Sequence, residues 1–195
     1  MNNIMIDIET LDNKPTAAIV SIAAAFFDPR TGEIGSTDYI LVDFADAQGE
    51  GATIGADTIK WWMKQNSCAR HEIISAIGLP LAASLDRLND FCNFCDDPED
   101  LKIWARGTDF DLTVIYHSMR LTRISPVWNF WNVRDVRTVA EIALTICGHS
   151  SMRTVLEHPH HAMTDVINQI ARLSDDIKNI SAVHADKVNH DSPEK

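Results

Sequence analysis

Met5-Ile6-Asp7-Ile8-Glu9-Thr10, read together with His160-His161-Ala162-Met163-Thr164-Asp165 far downstream, decides how this chain folds. A strand turns successive side chains to opposite faces, so Asp7 and Glu9 share one face while Ile4, Ile6 and Ile8 point the other way, into a core. Two adjacent carboxylates raise each other's pKa. A fold keeps such a pair chiefly where a hard cation sits between them, and oxygen ligands of this kind suit Mg²⁺ or Mn²⁺. For an isolated D-x-E, an edge strand with a solvated polar face is the alternative reading. The downstream motifs shift the balance towards the cation.

Outward from this strand, residues 3–8 and 18–27 read as two buried strands, joined to a third over 39–44 by a turn at Asp28-Pro29-Arg30-Thr31-Gly32. Residues 49–56 read as a Gly-rich loop. Helical spacing follows from Asp57 through Trp61-Trp62-Met63, over 69–77, and from Pro80 to about Cys95. Residues 101–105 form a short strand and 110–121 a helix. Residues 127–133 are aromatic and irregular, with a strand as one reading. Helices follow over 136–147, ended by Gly148, and over 164–180. From Ala185 the chain is polar and without periodicity, which predicts a domain over 1–184 and a mobile tail over 185–195. Three strands, then helices interleaved with single strands, predict an α/β layer arrangement with a mixed sheet.

The length of 195 residues suits one domain. No apolar run approaches the ~20 residues of a membrane span, and no basic start leads into an apolar stretch, so the chain reads as cytoplasmic with no membrane partner. Of four cysteines, Cys92 and Cys95 form a C-x-x-C. No second C-x-x-C completes a zinc site, and the helical spacing around them favours core-facing thiols. The net charge of −11 repels phosphates at long range. A nucleic-acid partner is then compatible only with a small contact area, such as a strand end, or with bound cations that reset the local field.

Trp104-Ala105-Arg106-Gly107-Thr108-Asp109-Phe110-Asp111-Leu112 joins a strand end to a helix start. Asp109 suits an N-cap, and Asp111 suits the first turn, where the helix dipole favours an acid. The functional reading makes Asp111 a further carboxylate at the cation site. Pro159 keeps His158 extended, so a helix begins after it with Asp165 about one turn in. A zinc site from His158, His160 and His161 would need a fourth ligand and a different spacing. A solvated His-rich loop is the other alternative. Trp61 and Trp62 are adjacent and face different sides of a helix: one reads as core and Trp61 as the candidate for stacking on a terminal base, with core packing of both as the alternative. Thr10 could contact a 3′ end through its hydroxyl or backbone N–H, or simply end its strand. Asp135 reads best as the N-cap of the helix from Val136.

Asp7-Ile8-Glu9-Thr10, Phe110-Asp111 and His160-x₄-Asp165 resemble, in order, the three motifs of the DEDDh exonuclease superfamily. The similarity extends to its phage and bacterial branch of RNase T-like 3′–5′ exoribonucleases, also known as exodeoxyribonuclease VIII, over residues 5–10, 19–35, 58–70, 104–112, 134–138 and 160–166. The resemblance implies an RNase H-like α/β fold, a mixed central β-sheet flanked by α-helices. It implies hydrolysis of the terminal phosphodiester of single-stranded or 3′-overhang nucleic acid, releasing nucleoside 5′-monophosphates; the names of this branch point to both RNA and DNA, no residue pattern here reports a 2′-OH contact, and the reading takes RNA ahead of DNA. Asp7, Glu9, Asp111 and Asp165 match the metal-binding acids for two divalent cations, Mg²⁺ or Mn²⁺, and His160 matches the general base, with His161 as its neighbour. Two such ions ~4 Å apart can hold a scissile phosphate, and a His with pKa near ~6.5 can take a water's proton at neutral pH. The alternatives are an exodeoxyribonuclease acting on DNA and a catalytically silent nucleic-acid-binding module. A homodimer is one way for so acidic a chain to complete a substrate groove.

Overall fold

The computed structural model describes residues 1–67, 69, 70, 73, 77–151 and 161–190, with side chains up to residue 183. Five strands form one sheet: β1 (Asn3–Thr10), β2 (Ile19–Phe27), β3 (Ile34–Leu41), β4 (Lys102–Ala105) and β5 (Val133–Asp135), in the order β3-β2-β1-β4-β5. β1, β2 and β3 pair antiparallel, while β4 and β5 add in parallel beyond β1. The mixed sheet expected from the element order is therefore present.

The alternation in β1 does what its residue types dictate. Ile4, Ile6 and Ile8 are buried in one cluster with Leu81, Leu85, Leu88 and Ile115. These come from α3 (Leu81–Cys92) and α4 (Asp111–Thr122), which cover that side of the sheet. Each buried isoleucine or leucine contributes about 1.5–3 kcal/mol of transfer free energy. Met5, Ala23, Ala25 and Phe27 pack on the opposite side against Val136, Val166, Ile170 and Leu173. Those four belong to α5 (Val136–Cys147) and α6 (Ala162–His190). All nine residues of β2 are buried, because it is a central strand covered on both faces. Two shorter helices, α1 (Phe44–Gly49) and α2 (Ala56–Met63), lie in the connection after β3. A third cluster of Leu11, Val20, Trp62 and Ala69 roots α2 near the end of β1.

Several expected boundaries need correction. The third strand lies at Ile34–Leu41, not 39–44. Gly32, at φ +78°, closes the turn early, with Asp28 Oδ1 accepting from the backbone N–H of Arg30 and Thr31. The first half of β3 is then an exposed edge that shows no alternation. Phe44 opens α1 instead, because Asp43 accepts from the N–H groups of Ala45 and Asp46 and caps a helix; the loop expected over 49–56 starts at the end of that helix. The aromatic stretch 127–133 is no strand: Phe130–Asn132 is a 3₁₀ turn, and pairing to β4 starts at Val133. The last helix runs from Ala162 to His190 rather than 164–180, so the segment from Ala185 begins as helix. No Gly or Pro interrupts residues 162–190, so no helix breaker ends it at 180. The helix over 136–147 is as expected, with Gly148 at φ +75° after it. Of the stretch 69–77, only residues 69, 70, 73 and 77 are described.

Cys92 is buried in the core and Cys95 is half-buried, both as free thiols. Burial, then the neighbouring Cys95, pushes the Cys92 thiol far above its ordinary range, as suits a packing residue rather than a ligand. Cys68 lies outside the described residues.

Candidate active site

β1 and α6 bring the acids together. Asp7 and Glu9 point to the face that α6 covers, and Asp165 sits in the first turn of that helix, where the dipole favours an acid. Carboxylate oxygens of Asp7, Glu9 and Asp165 lie within 4.8 Å of one another. Asp111 opens α4 and is buried. Its Oδ1 accepts from the backbone N–H of Ile8 at 3.4 Å, tying the helix start to β1 between the two acids. The structure thus gathers three of the four predicted carboxylates into one cluster and places the fourth alongside it.

The electrostatics match this crowding. Asp7 is held well above the usual carboxylate range, first by burial and then by the charges of Asp111, Glu9 and Asp165. Asp111 is pushed up to about 7 by burial, against the opposing hydrogen bond from Ile8. Gln169 donates from Nε2 to Asp7 Oδ1 at 2.7 Å, which favours the ionised form. A concentration of hard, mutually repelling oxygen donors fits a divalent cation of the Mg²⁺ or Mn²⁺ kind.

The connection from β4 to α4 is held by Asp135. Gly107, at φ +108°, makes the turn. The N–H groups of Gly107 and Thr108 both donate to Asp135 Oδ2, while Oδ1 accepts from Arg137 and caps α5. Against burial, the hydrogen bonds from Thr108, Arg137 and Thr138 keep Asp135 below the usual range. The cap reading of Asp135 holds, and the same side chain also clamps the loop that delivers Asp111. Asp109 is not the cap expected there. It is exposed and stands 3.9 Å from Arg137, and Phe110 occupies the cap position without a side-chain bond.

Beside Glu9 lies a cleft of about 410 Å³ whose lining includes Glu9, Thr10, Asn13, Thr58, Trp61 and Phe110. Trp62 is the core member of the tryptophan pair. Its Nε1 donates to the carbonyl of Thr10 at 2.9 Å, and Trp61 packs edge-on against it with 41% of its surface exposed. The Thr10 hydroxyl donates to the carbonyl of Asp12, so it serves the end of β1. Asp12 is itself buried; despite that burial, hydrogen bonds from Thr53 and Asn13 and the nearby Lys14 hold it below the usual range. His160, the predicted base, lies outside the described residues, as does His158. His161 is described: its carbonyl accepts from Asp165 N at the start of α6, and its ring stacks on Tyr39 at 4.8 Å. Sequence reasoning missed Gln169, Phe110 as a cleft wall, and the Asp12 network. Only Gln169 had a usable signal, its four-residue spacing from Asp165 on one helix face.

A mixed five-stranded sheet with an acid cluster at β1 and α6 is the arrangement of the RNase H-like nuclease fold. The chain belongs to the family of 3′–5′ exoribonuclease Rv2179c-like domains, whose profile matches residues 2–175. It is 27% identical over 168 residues to the exodeoxyribonuclease of Enterobacteria phage T4, covering 75% of this chain and 74% of that one. Among solved structures it resembles E. coli exonuclease I with a TM-score of 0.66 at 15% identity, over 97% of this chain and 44% of that one. Exonuclease I from Methylocaldum szegediense gives a TM-score of 0.67 at 15% identity, over 94% of this chain and 42% of that one. The chain therefore spans less than half the length of exonuclease I. The likeness to both structures is one of fold.

Proposed function

We propose that this chain removes nucleotides from the 3′ end of single-stranded or 3′-overhang nucleic acid, RNA ahead of DNA, releasing nucleoside 5′-monophosphates. One observation carries the reading: the oxygens of Asp7, Glu9 and Asp165 converge within 4.8 Å beside a cleft with aromatic side chains. Asp7, Glu9, Asp111 and Asp165 are the residues to hold two divalent cations, Mg²⁺ or Mn²⁺. When bound, such ions polarise a phosphodiester and lower the pKa of an attacking water. The protein's own part is positional. Glu9 belongs to the cluster and also lines the cleft, so it would serve a cation held there and the end of a strand entering the cleft. Trp61 and Phe110 offer aromatic faces to a terminal base, which stacking accepts whatever its identity. His160, adjacent in sequence to the His161 that precedes α6, takes the water's proton.

The family's description as exoribonucleases supports RNA. The phage T4 relative acts on DNA by name, and E. coli exonuclease I has been solved with single-stranded DNA and with zinc, so DNA is the second reading. The net charge of −11 supports a short contact at a strand end over a long duplex track. The test is digestion of matched 5′-labelled RNA and DNA strands with 3′ overhangs, in Mg²⁺, Mn²⁺ or EDTA. The expected result is a ladder shrinking from the 3′ end, faster on RNA and absent in EDTA. Faster loss of DNA moves the substrate to the second reading. No ladder with either metal sinks the nuclease assignment and leaves a binding module.

A further inference from the structure

We infer that Gln169 is a positioning residue for Asp7: its amide holds Oδ1 of that carboxylate and so fixes which oxygen is offered to a cation. This rests on the reading of the acid cluster as a divalent-cation site. Three observations converge on it. Gln169 is 6% exposed and sits on α6 four residues after Asp165, so one helix face carries both a candidate ligand and this amide. Its Nε2 donates to Asp7 Oδ1 at 2.7 Å. A carboxylate only accepts when ionised, so the NH₂ end of the amide is the end that must face it. Finally, its Oε1 is buried with no partner among the described residues.

A packing role does not account for this side chain. Its neighbours along the buried side of α6 are Val166, Ile170 and Leu173, and an apolar residue there would bury nothing unsatisfied. The choice of a neutral donor is also informative. Lys or Arg at this position would answer the charge of Asp7 directly and compete with a cation for it. An amide orients the carboxylate while leaving the negative potential of Asp7, Glu9 and Asp165 in place. Groups that hydrogen-bond to metal ligands in this way typically tune affinity by about 10–100-fold.

The test is calorimetric titration of Mn²⁺ into the wild-type chain and into Gln169→Met and Gln169→Leu, which keep side-chain bulk but remove both amide functions. Melting in EDTA checks that each variant is folded. Gln169→Asn, which keeps the amide but shortens its reach, serves the same comparison where the apolar variants do not fold. We expect wild-type binding, folded variants with affinity for Mn²⁺ lowered about tenfold or more, and 3′-end cleavage that fails at limiting Mn²⁺ but recovers at higher concentration. A folded variant that binds Mn²⁺ as tightly as wild type overturns the role of Gln169 alone. Absence of binding in the wild type overturns the cation site itself, and this inference with it.

Discussion

Burial and the charges of Asp111, Glu9 and Asp165 all oppose ionisation of Asp7, and the amide of Gln169 favours it. Replacing that one carboxylate separates stability from function. Asp7→Asn keeps the shape and removes the charge, so in EDTA near neutral pH it should melt above the wild type. Each kcal/mol of relief corresponds to about 2–4 °C in a chain of this size. The same variant should lose both the Mn²⁺-induced rise in melting temperature and 3′-end cleavage. Differential scanning fluorimetry with and without metal reads both effects, and a lower melting point in EDTA would show that repulsion does not govern this position. Much of this scale is legible in the sequence, because strand alternation alone puts Asp7 and Glu9 on one face. For Gln169 the four-residue spacing from Asp165 places it on the same helix face but does not reveal its partner. An amide on an amphipathic helix reads as solvated surface, and its contact with Asp7 spans 162 residues.

The link from β4 to α4 shows how one acid can serve two elements. Asp135 caps α5 through Arg137 and clamps the Gly107–Thr108 turn. Asp135→Ala should therefore cost more than an ordinary cap. Loss of the cap alone is worth about 1 kcal/mol, and the two released N–H groups of the turn add to it. Asp135→Asn retains an acceptor and should cost less. Urea unfolding of the pair measures the difference, and equal stability of both with wild type would remove the clamp. The cap at Asp135 could be read from sequence, since an acid directly precedes an apolar-periodic helix. The competing choice at Asp109 failed because both acids near that helix start fit the same local rule. Only the fold shows that Asp111 turns inward to the N–H of Ile8. Strand β3 was misplaced for a related reason: an edge strand with a polar first half carries no periodic signal.

Across the whole molecule, the raised carboxylates make stability depend on pH and metal together. Asp111 is pushed up to about 7, and Asp7 is raised as well. Unfolded carboxylates titrate near ~4. Between about pH 4 and 7 the folded chain thus binds more protons than the unfolded one, and its stability falls as pH rises. This contribution is complete below the unfolded pKa and gone above the folded one. Asp12, Asp28 and Asp135, held below the usual range, lose their contribution only at lower pH and do not oppose the trend. In EDTA the melting temperature should decline from about pH 5 to about pH 8. Saturating Mn²⁺, which needs ionised carboxylates, should flatten or reverse that slope. A metal-free melting point that climbs through this interval would contradict the burial of these acids. No described helix is long and apolar enough to cross a membrane. The α/β order was readable from the alternation of elements, but not the length of α6, since nothing in its polar second half signals a stop.

The cluster joins the first strand of the sheet to the last described helix, so its halves are synthesised far apart in time. A nascent chain that has emerged only as far as α5 holds Asp7, Glu9 and Asp111 but neither Asp165 nor Gln169. It carries the sequence of all five strands and an incomplete carboxylate cluster. The carboxylates of β1 and α4 therefore meet Asp165 and Gln169 only after α6 has been made.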